Sequence, residues 1–339
     1  MSPGARPPRA LVTGGAGFVG SALVTELAAS GYLVTVLDNL STGSRDHLVH
    51  LPADRVSLVE GDVRDTVLCE RLLECVDVLF HLACVNLRRA LAHPVEAHEV
   101  NATATLHLIG AARRAGIRRI VHVSSSEVYG PALAEAIDER HPTLPTTDYG
   151  ASKLAGEASA RAAWHTHGTP VVIVRPFNAF GPRSHAHGTS GEVIPRFITR
   201  ALAGEPLVIF GDGSQTRDFT HVTDTARGLR LAAETPGIEG ETFNLGTGRE
   251  TPISALATLV TCLAGTSTGV ERRRARPGDV SRQRAEASRA RSRLGWQPRV
   301  TLEQGLRDLI ALHRASATTA VATGARLASA PDENWELTR

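Results

Sequence analysis

Tyr149 and Lys153 carry the most specific chemistry legible in this chain. Lysine and arginine together number 37, and Lys153 is the single lysine among them. Tyrosine occurs only at Tyr32, Tyr129 and Tyr149. On a helix, residues four apart share one face, so the phenol and the ammonium of Tyr149-Gly-Ala-Ser-Lys153 point the same way. A phenol titrates near ~10 and is a weak base at neutral pH unless a nearby cation favours its ionised form. A compact ammonium can do this and also reach a ribose hydroxyl, whereas a guanidinium is a broad planar fork. The pair reads as an acid/base couple.

The elements that must position this couple begin at the N-terminus. A short apolar run, Ala10-Leu-Val-Thr13, is followed by Gly14-Gly-Ala-Gly17-Phe-Val-Gly20 and then by a helical pattern from Ala22. A glycine turn between a strand and a helix brings backbone amides and a positive helix end to a pyrophosphate. The next predicted strand, 33–38, ends on Asp38, about twenty residues past the glycines. A carboxylate there accepts from an adenosine ribose diol and repels a 2′-phosphate, which favours NAD over NADP.

Further apolar runs at 56–62, 76–83, 119–125 and 170–175 read as buried parallel strands, with helical segments such as 96–115 between them. The fold class is α/β, a doubly wound parallel (Rossmann) sheet with a smaller C-terminal α/β substrate-binding domain. The expected divisions are a loose tail over 1–9, an NAD-binding domain over 10–176, a substrate-binding region over 177–314 and a flexible tail over 315–339. Ligands of such sheets sit beyond the carboxyl ends of the strands, which singles out Asp62, Ala83, Ser125 and Tyr149. Asp62 could instead cap the following helix.

The totals narrow the partners. A formal net charge of +2 with scattered arginines gives no basic block for nucleic acid, and Arg272 to Arg274 read as solvated surface charge. Cys69, Cys75, Cys84 and Cys262 lack paired spacing and read as buried thiols, so no metal site is expected. With no long apolar run, the expectation is a cytoplasmic protein that does not enter the membrane. From Asn178 onward, arginines and amides among glycines suit a diphosphate and a sugar.

The motifs together resemble the extended short-chain dehydrogenase/reductases that act on nucleotide sugars. The resemblance covers residues 10–312 and rests on the glycine loop, Asp38-Asn-Leu-Ser-Thr-Gly43, Gly61-Asp62-Val, His81-Leu-Ala83, Ser124-Ser-Ser-Glu127-Val-Tyr-Gly130 and Tyr149 to Lys153. It continues through Arg175-Pro-Phe-Asn178, Gly211 to Phe219, Asn244-Leu-Gly-Thr-Gly248, Arg276-Pro-Gly-Asp279 and Leu294-Gly-Trp296. It implies that Gly14, Gly17 and Gly20 hold the NAD pyrophosphate, Asp38 and Asn39 the adenosine ribose, and Asp62 and Val63 the adenine. Phe18, Val19, Ser41, Thr42, Gly43, Leu82 and Ala83 would complete the cofactor site with Tyr149 and Lys153. Asn178, Val193, Arg217 and Arg276 would touch a nucleotide sugar, most simply a UDP-sugar, and Ser125 would bond its C4 oxygen. The resemblance also implies bound NAD that cycles through a 4-keto sugar, and a homodimer formed through 96–115 and 149–167.

The reaction after C4 oxidation turns on Glu127. A 4-ketone acidifies C5–H and weakens a C5 carboxylate, and a carboxyl side chain can assist either departure. The order Ser125, Ser126, Glu127 resembles the UDP-glucuronate decarboxylases, which makes decarboxylation the first expectation, with Ser126 and Glu127 assisting. A UDP-sugar 4-epimerase stands second and a 4,6-dehydratase third. Against the first, the position where decarboxylases carry an arginine holds Gln283, between Arg282 and Arg284. A shift of one residue in that loop would return an arginine. A non-catalytic NAD-binding sensor or scaffold is disfavoured by the intact Tyr149, Lys153 and Ser125.

Overall fold

The computed structural model describes residues 6–185, 191–276 and 278–322. Strand and helix alternate through the first half: β1 (Arg9–Thr13), α1 (Phe18–Ala29), β2 (Leu33–Asp38), β3 (Val56–Glu60), α2 (Thr66–Leu73), β4 (Val78–His81), α3 (Leu87–Ala92), α4 (Pro94–His98), α5 (Ala104–Arg114), β5 (Arg119–Val123), α6 (Asp148–His167) and β6 (Val171–Pro176). The second half holds β7 (Ala179–Phe180), α7 (Val193–Leu202), β8 (Leu207–Phe210), β9 (Thr216–Arg217), β10 (Thr220–His221), α8 (Val222–Glu234), β11 (Thr242–Leu245), β12 (Thr251–Pro252), α9 (Ile253–Ala264), β13 (Val270–Arg273), α10 (Ser288–Leu294) and α11 (Leu302–Ala322).

Seven strands form one sheet in the order β11-β6-β5-β4-β1-β2-β3, with every pairing parallel. This is the doubly wound α/β sheet expected from the alternation. Its central strands β4 and β5 are buried along their whole length, as a parallel sheet covered on both faces requires. On one face Leu23, Val24 and Leu27 of α1 join Leu229 of α8 and Trp296 in a single apolar cluster. On the other, Leu73 of α2, Leu108 and Ile109 of α5 and Ala160 of α6 form a second. The order reverses between β1 and β4, and the crevice at that reversal opens at the carboxyl ends of the strands.

The expected break at 176 is crossed twice. β11 returns to pair with β6 in the large sheet, and α8 packs on α1. The smaller lobe is built on Ile198, Leu256 and Leu309 from α7, α9 and α11, beside the parallel pair β8 and β13. At the N-terminus Arg9 already belongs to β1, and Arg6 pairs with Asp77 at 2.8 Å. At the other end α11 runs on to Ala322, past the boundary drawn at 314. The expected tails at 1–5 and 323–339 lie outside the described residues, as does Pro277.

Two local features differ from expectation. The segment 96–115 is not one regular helix, because a π turn over Glu99–Thr103 separates α4 from α5. Such a turn inserts a residue and re-aims the side chains around it. Of the cysteines, Cys69 is buried, but Cys75, Cys84 and Cys262 are exposed. Apolar sequence neighbours had suggested burial, yet each of these three faces outward at a turn, a cleft wall or the outer side of a helix. No helix among the described residues is long and apolar enough to cross a membrane.

Candidate active site

The glycine loop joins β1 to α1 with its backbone drawn tightly together. Gly14 has φ +70°, and a Cβ there would stand 2.7 Å from the Ala83 nitrogen. A Cβ on Gly20 would lie 2.0 Å from the Gly14 carbonyl oxygen. Gly17 caps α1 without a side chain, so the first amides of the helix face the crevice unobstructed. The cradle has the form a dinucleotide pyrophosphate requires, and a side chain on Gly14 or Gly20 would fill or deform it.

Asp38 sits at the end of β2 and accepts from the Ala16 amide and the Leu40 amide, each at 2.9 Å. Each carboxylate oxygen keeps a further lone pair for a ribose hydroxyl. Asn39 donates to Asp62 at 3.0 Å, and Arg64 donates to the same carboxylate. These contacts, Arg64 foremost, hold the Asp62 carboxyl down to about 2. Helix α2 is capped by Asp65 rather than Asp62, which leaves Asp62 on the crevice wall. Gly43 does not line the crevice; it packs on the backbone of Ala16, where a Cβ would stand 2.9 Å from the carbonyl carbon.

Helix α6 carries Tyr149 and Lys153, the pair expected from the sequence to act as acid and base. Thr147 caps it by accepting from the Gly150 amide at 3.1 Å, which sets Tyr149 in the first turn and Lys153 one turn later. The Lys153 ammonium is buried and donates to the Val123 carbonyl, at the end of β5, at 2.6 Å. Burial pushes its pKa down, while Cys84 and Glu157 oppose that. The Tyr149 phenol is pushed well up by burial, then by Cys84; its hydrogen bond with Ser125 acts in the opposite sense. Behind the couple the fully buried Glu157 accepts from Arg175 at 2.7 and 2.6 Å.

The turn after β5, Ser126–Val128, carries Glu127, whose amide donates to the Ser125 hydroxyl at 3.2 Å. Gln283 donates its Nε2 to Glu127 Oε1 at 3.0 Å. Its two arginine neighbours turn elsewhere: Arg282 to Glu250 at 2.6 Å, Arg284 to Glu135 at 2.7 Å and to the Gly248 carbonyl at 2.9 Å. Burial raises the Glu127 pKa, against the Gln283 bond and the more distant Arg217.

Across the cleft, Arg217 bonds Asp279 and the Val280 carbonyl, and Arg276 lies over the Phe210 ring at 3.9 Å. Burial, together with Arg196 and Arg217, lowers the Arg276 pKa to about 10 against the pull of Asp279. Arg88 is lowered to about 9 by burial and by Arg276 and Arg196. Crowding of like charge at half-buried positions is the environment in which an anion such as a diphosphate is welcome.

One cleft of about 520 Å³ thus gathers every site residue singled out in the sequence except Gly43. It also gathers Arg88, Glu192 and Arg196, which sequence reasoning did not select. Asn101 was missed too. It lies on the π turn, fully buried, and bonds the Val85 amide at 2.8 Å and Ser152 of α6 at 3.0 Å, tying the helix of the couple to the segment after β4. An asparagine inside a helical stretch was its one signal, since that residue favours caps and turns over helix interiors.

The profile of the NAD dependent epimerase/dehydratase family matches residues 10–246. The chain belongs to this family. Its members include enzymes similar to this chain over nearly its whole length. A UDP-glucose 4-epimerase of Mycolicibacterium smegmatis is 38% identical over 310 residues, covering 90% of this chain and 98% of that protein. A UDP-glucuronic acid decarboxylase 1 of Xenopus tropicalis is 34% identical over 309 residues, covering 89% of this chain and 71% of that protein. A dTDP-glucose 4,6-dehydratase of Streptomyces venezuelae, solved with NAD bound, superposes with a TM-score of 0.85 at 34% identity, covering 92% of this chain and 98% of that one. The chain is therefore an NAD-dependent nucleotide-sugar enzyme of the extended short-chain dehydrogenase/reductase type.

Proposed function

We propose that this enzyme is a UDP-sugar 4-epimerase. The observation that carries the reading is the partner of Glu127. Gln283 meets it, while Arg282 and Arg284 are held by Glu250 and Glu135. A one-residue shift that would return an arginine to this place is thus disfavoured, and among the described residues no cation bonds Glu127 to grip a departing carboxylate. Epimerisation needs none, because it breaks no bond at C5.

NAD, when bound, supplies the hydride acceptor and donor at C4. Gly14, Gly17, Phe18, Val19 and Gly20 would hold its pyrophosphate, Asp38, Asn39, Ser41 and Thr42 its adenosine ribose side, and Asp62 and Val63 its adenine. Tyr149 takes the C4 hydroxyl proton as the sugar is oxidised and returns it after the ketone has turned its other face. Ser125 fixes O4 and, by bonding the phenol, favours the ionised base. Lys153, anchored on Val123 one helical turn from Tyr149, would supply positive charge on the same helix face and a donor for the ribose. Arg217 and Arg276, with Asn178 and Val193, would hold the nucleotide diphosphate at a distance that lets the sugar swing. A homodimer through 96–115 and 149–167 and a cytoplasmic location belong to the same proposal; light scattering of the purified protein tests the first and cell fractionation the second.

UDP-glucuronate decarboxylation is the second reading. It is favoured by Glu127 itself, a carboxyl whose burial biases it toward the protonated form beside the reacting ring, with Ser126 next to it. NMR of the enzyme with UDP-glucose and with UDP-glucuronate in deuterated buffer separates the two. Interconversion of C4 configurations without solvent deuterium supports the epimerase; loss of CO₂ with deuterium at C5 replaces it with the decarboxylase.

A further inference from the structure

The segment that leaves β7 turns back toward the cofactor half of the molecule. Ser184 donates its hydroxyl to the Gly181 carbonyl at 2.8 Å, closing a tight turn in which Arg183 takes φ +70°. That conformation is uncommon for a residue with a side chain. The turn sends out two side chains. Arg183 donates to His50 Nε2 at 3.3 Å, on the loop between β2 and β3. His185 Nε2 lies 3.2 Å from the Thr42 carbonyl oxygen on the same loop, and since a carbonyl only accepts, the ring donates there.

Both ends of this span are fixed. On the substrate side, His185 Nδ1 stands 3.5 Å from Glu192 Oε1, and the Glu192 amide donates to the His185 carbonyl at 2.8 Å just before α7. On the cofactor side, the Ser44 amide at 3.1 Å and the His47 ring at 2.8 Å both meet the Ala16 carbonyl of the glycine loop. His185, Glu192, Ser41 and Thr42 all line the one cleft. The His185 bond therefore joins its two walls a few residues past Asp38, and, being exposed, lies at the opening rather than the floor. Nε2 is spent on Thr42 and Nδ1 faces Glu192, so the ring keeps no nitrogen for a dinucleotide. A closure made between protein groups alone slows passage in both directions and leaves affinity nearly untouched.

We propose that Arg183 and His185 form a latch between the two lobes, which must open for NAD to enter or leave and so holds the cofactor in place between turnovers. The inference uses NAD dependence alone and is the same for an epimerase and a decarboxylase.

The test measures both rates on the full chain. Exchange of bound NAD for excess isotope-labelled NAD, read by mass spectrometry, gives dissociation; tryptophan fluorescence in a stopped-flow instrument, with NAD added to stripped protein, gives association. His185→Ala is expected to raise both rates at least about fivefold, the factor one net hydrogen bond carries, with their ratio kept within about threefold. His185→Gln, whose amide can still donate to the Thr42 carbonyl, is expected to restore most of the wild-type rates, and Arg183→Ala to speed both. Unchanged rates in His185→Ala overturn the proposal. So does faster dissociation with unaltered association, which would make His185 an ordinary cofactor contact, and so does a His185→Gln variant as fast as His185→Ala. Should His185→Ala fail to fold, Arg183→Ala decides: both rates raised supports the latch, and neither raised removes it.

Discussion

The Lys153 ammonium is tied to the Val123 carbonyl at 2.6 Å, so the cation of the proposed acid/base couple is anchored to the end of a central strand rather than left to its own rotamers. Val123 closes β5, and the serine-bearing turn begins directly after it. One hydrogen bond therefore sets the cation relative to Ser125 as well as to Tyr149.

Lys153→Arg is expected to fold and to lose about 10²- to 10⁴-fold in kcat, the range usual for a misplaced acid/base group. A planar fork cannot take the buried ammonium's place on the Val123 carbonyl with the same geometry. Stopped-flow measurement of the sugar-dependent reduction of bound NAD reads this directly, and activity within tenfold of wild type would refute it.

Ser125→Ala should move the pH profile as well as the rate. Burial, with Cys84 and Glu127, raises the Tyr149 pKa, and the Ser125 bond lowers it by favouring the phenolate. Removing that bond raises the pKa further. The rising limb of the C4-oxidation rate is therefore expected to shift to higher pH, by comparison of kcat/KM across pH for variant and wild type.

Gly20→Ala is expected to weaken NAD binding at least about tenfold, because the added methyl would lie 2.0 Å from the Gly14 carbonyl and must push the loop open. Fluorescence titration with NAD tests this. Gly43→Ala contacts the loop from outside the cleft, with its Cβ 2.9 Å from the Ala16 carbonyl carbon, and should weaken NAD less.

His81 and His122 predict acid sensitivity. His81 is fully buried between Thr13 and Thr105, and burial, then Lys153, lowers its pKa to about 3. His122 is lowered well below the ordinary value by burial, then by Lys153 and His81. The unfolded chain binds these protons near pH 6.5, so the stability contributed by the neutral rings is present above that pH and is lost as pH falls toward 3. Urea unfolding at pH 7 and pH 5 should differ by about 2 kcal/mol through His81, from ~1.4 kcal/mol per unit of pKa shift, with His122 adding in the same direction. His122→Phe should flatten that slope, and an unchanged slope would remove His122 from the account.

Much of the site was legible because its parts are local. The glycine loop, the acid at the end of β2 and the Tyr149 to Lys153 spacing each lie within one turn or one helical repeat, where chain geometry alone decides which atoms meet. Residues acting over long separations were less visible. Arg88 and Arg276 are far apart in sequence, and only the closing of the smaller lobe onto the sheet brings like charges together there. The π turn at Asn101 was hidden because helical periodicity does not record one inserted residue. The division at 176 was too sharp because β11 returns to the large sheet through pairing with β6, and nothing local in 242–245 names that partner.

The sequence by itself determined the parts from which the proposed first step is built: a single lysine beside a tyrosine, a glycine loop between strand and helix, and an acid at the end of the second strand. Each depends on residue type at short spacing, which the backbone converts into geometry with little freedom. The tertiary structure decided what stands against Glu127. Arg282, Gln283 and Arg284 are consecutive, and their order along the chain left open which of them meets it. Glu250 and Glu135, brought from other segments, draw off the two arginines and leave the amide to meet Glu127 from behind the cleft wall. That choice is made by competing long-range ion pairs, and these exist only once the chain has folded.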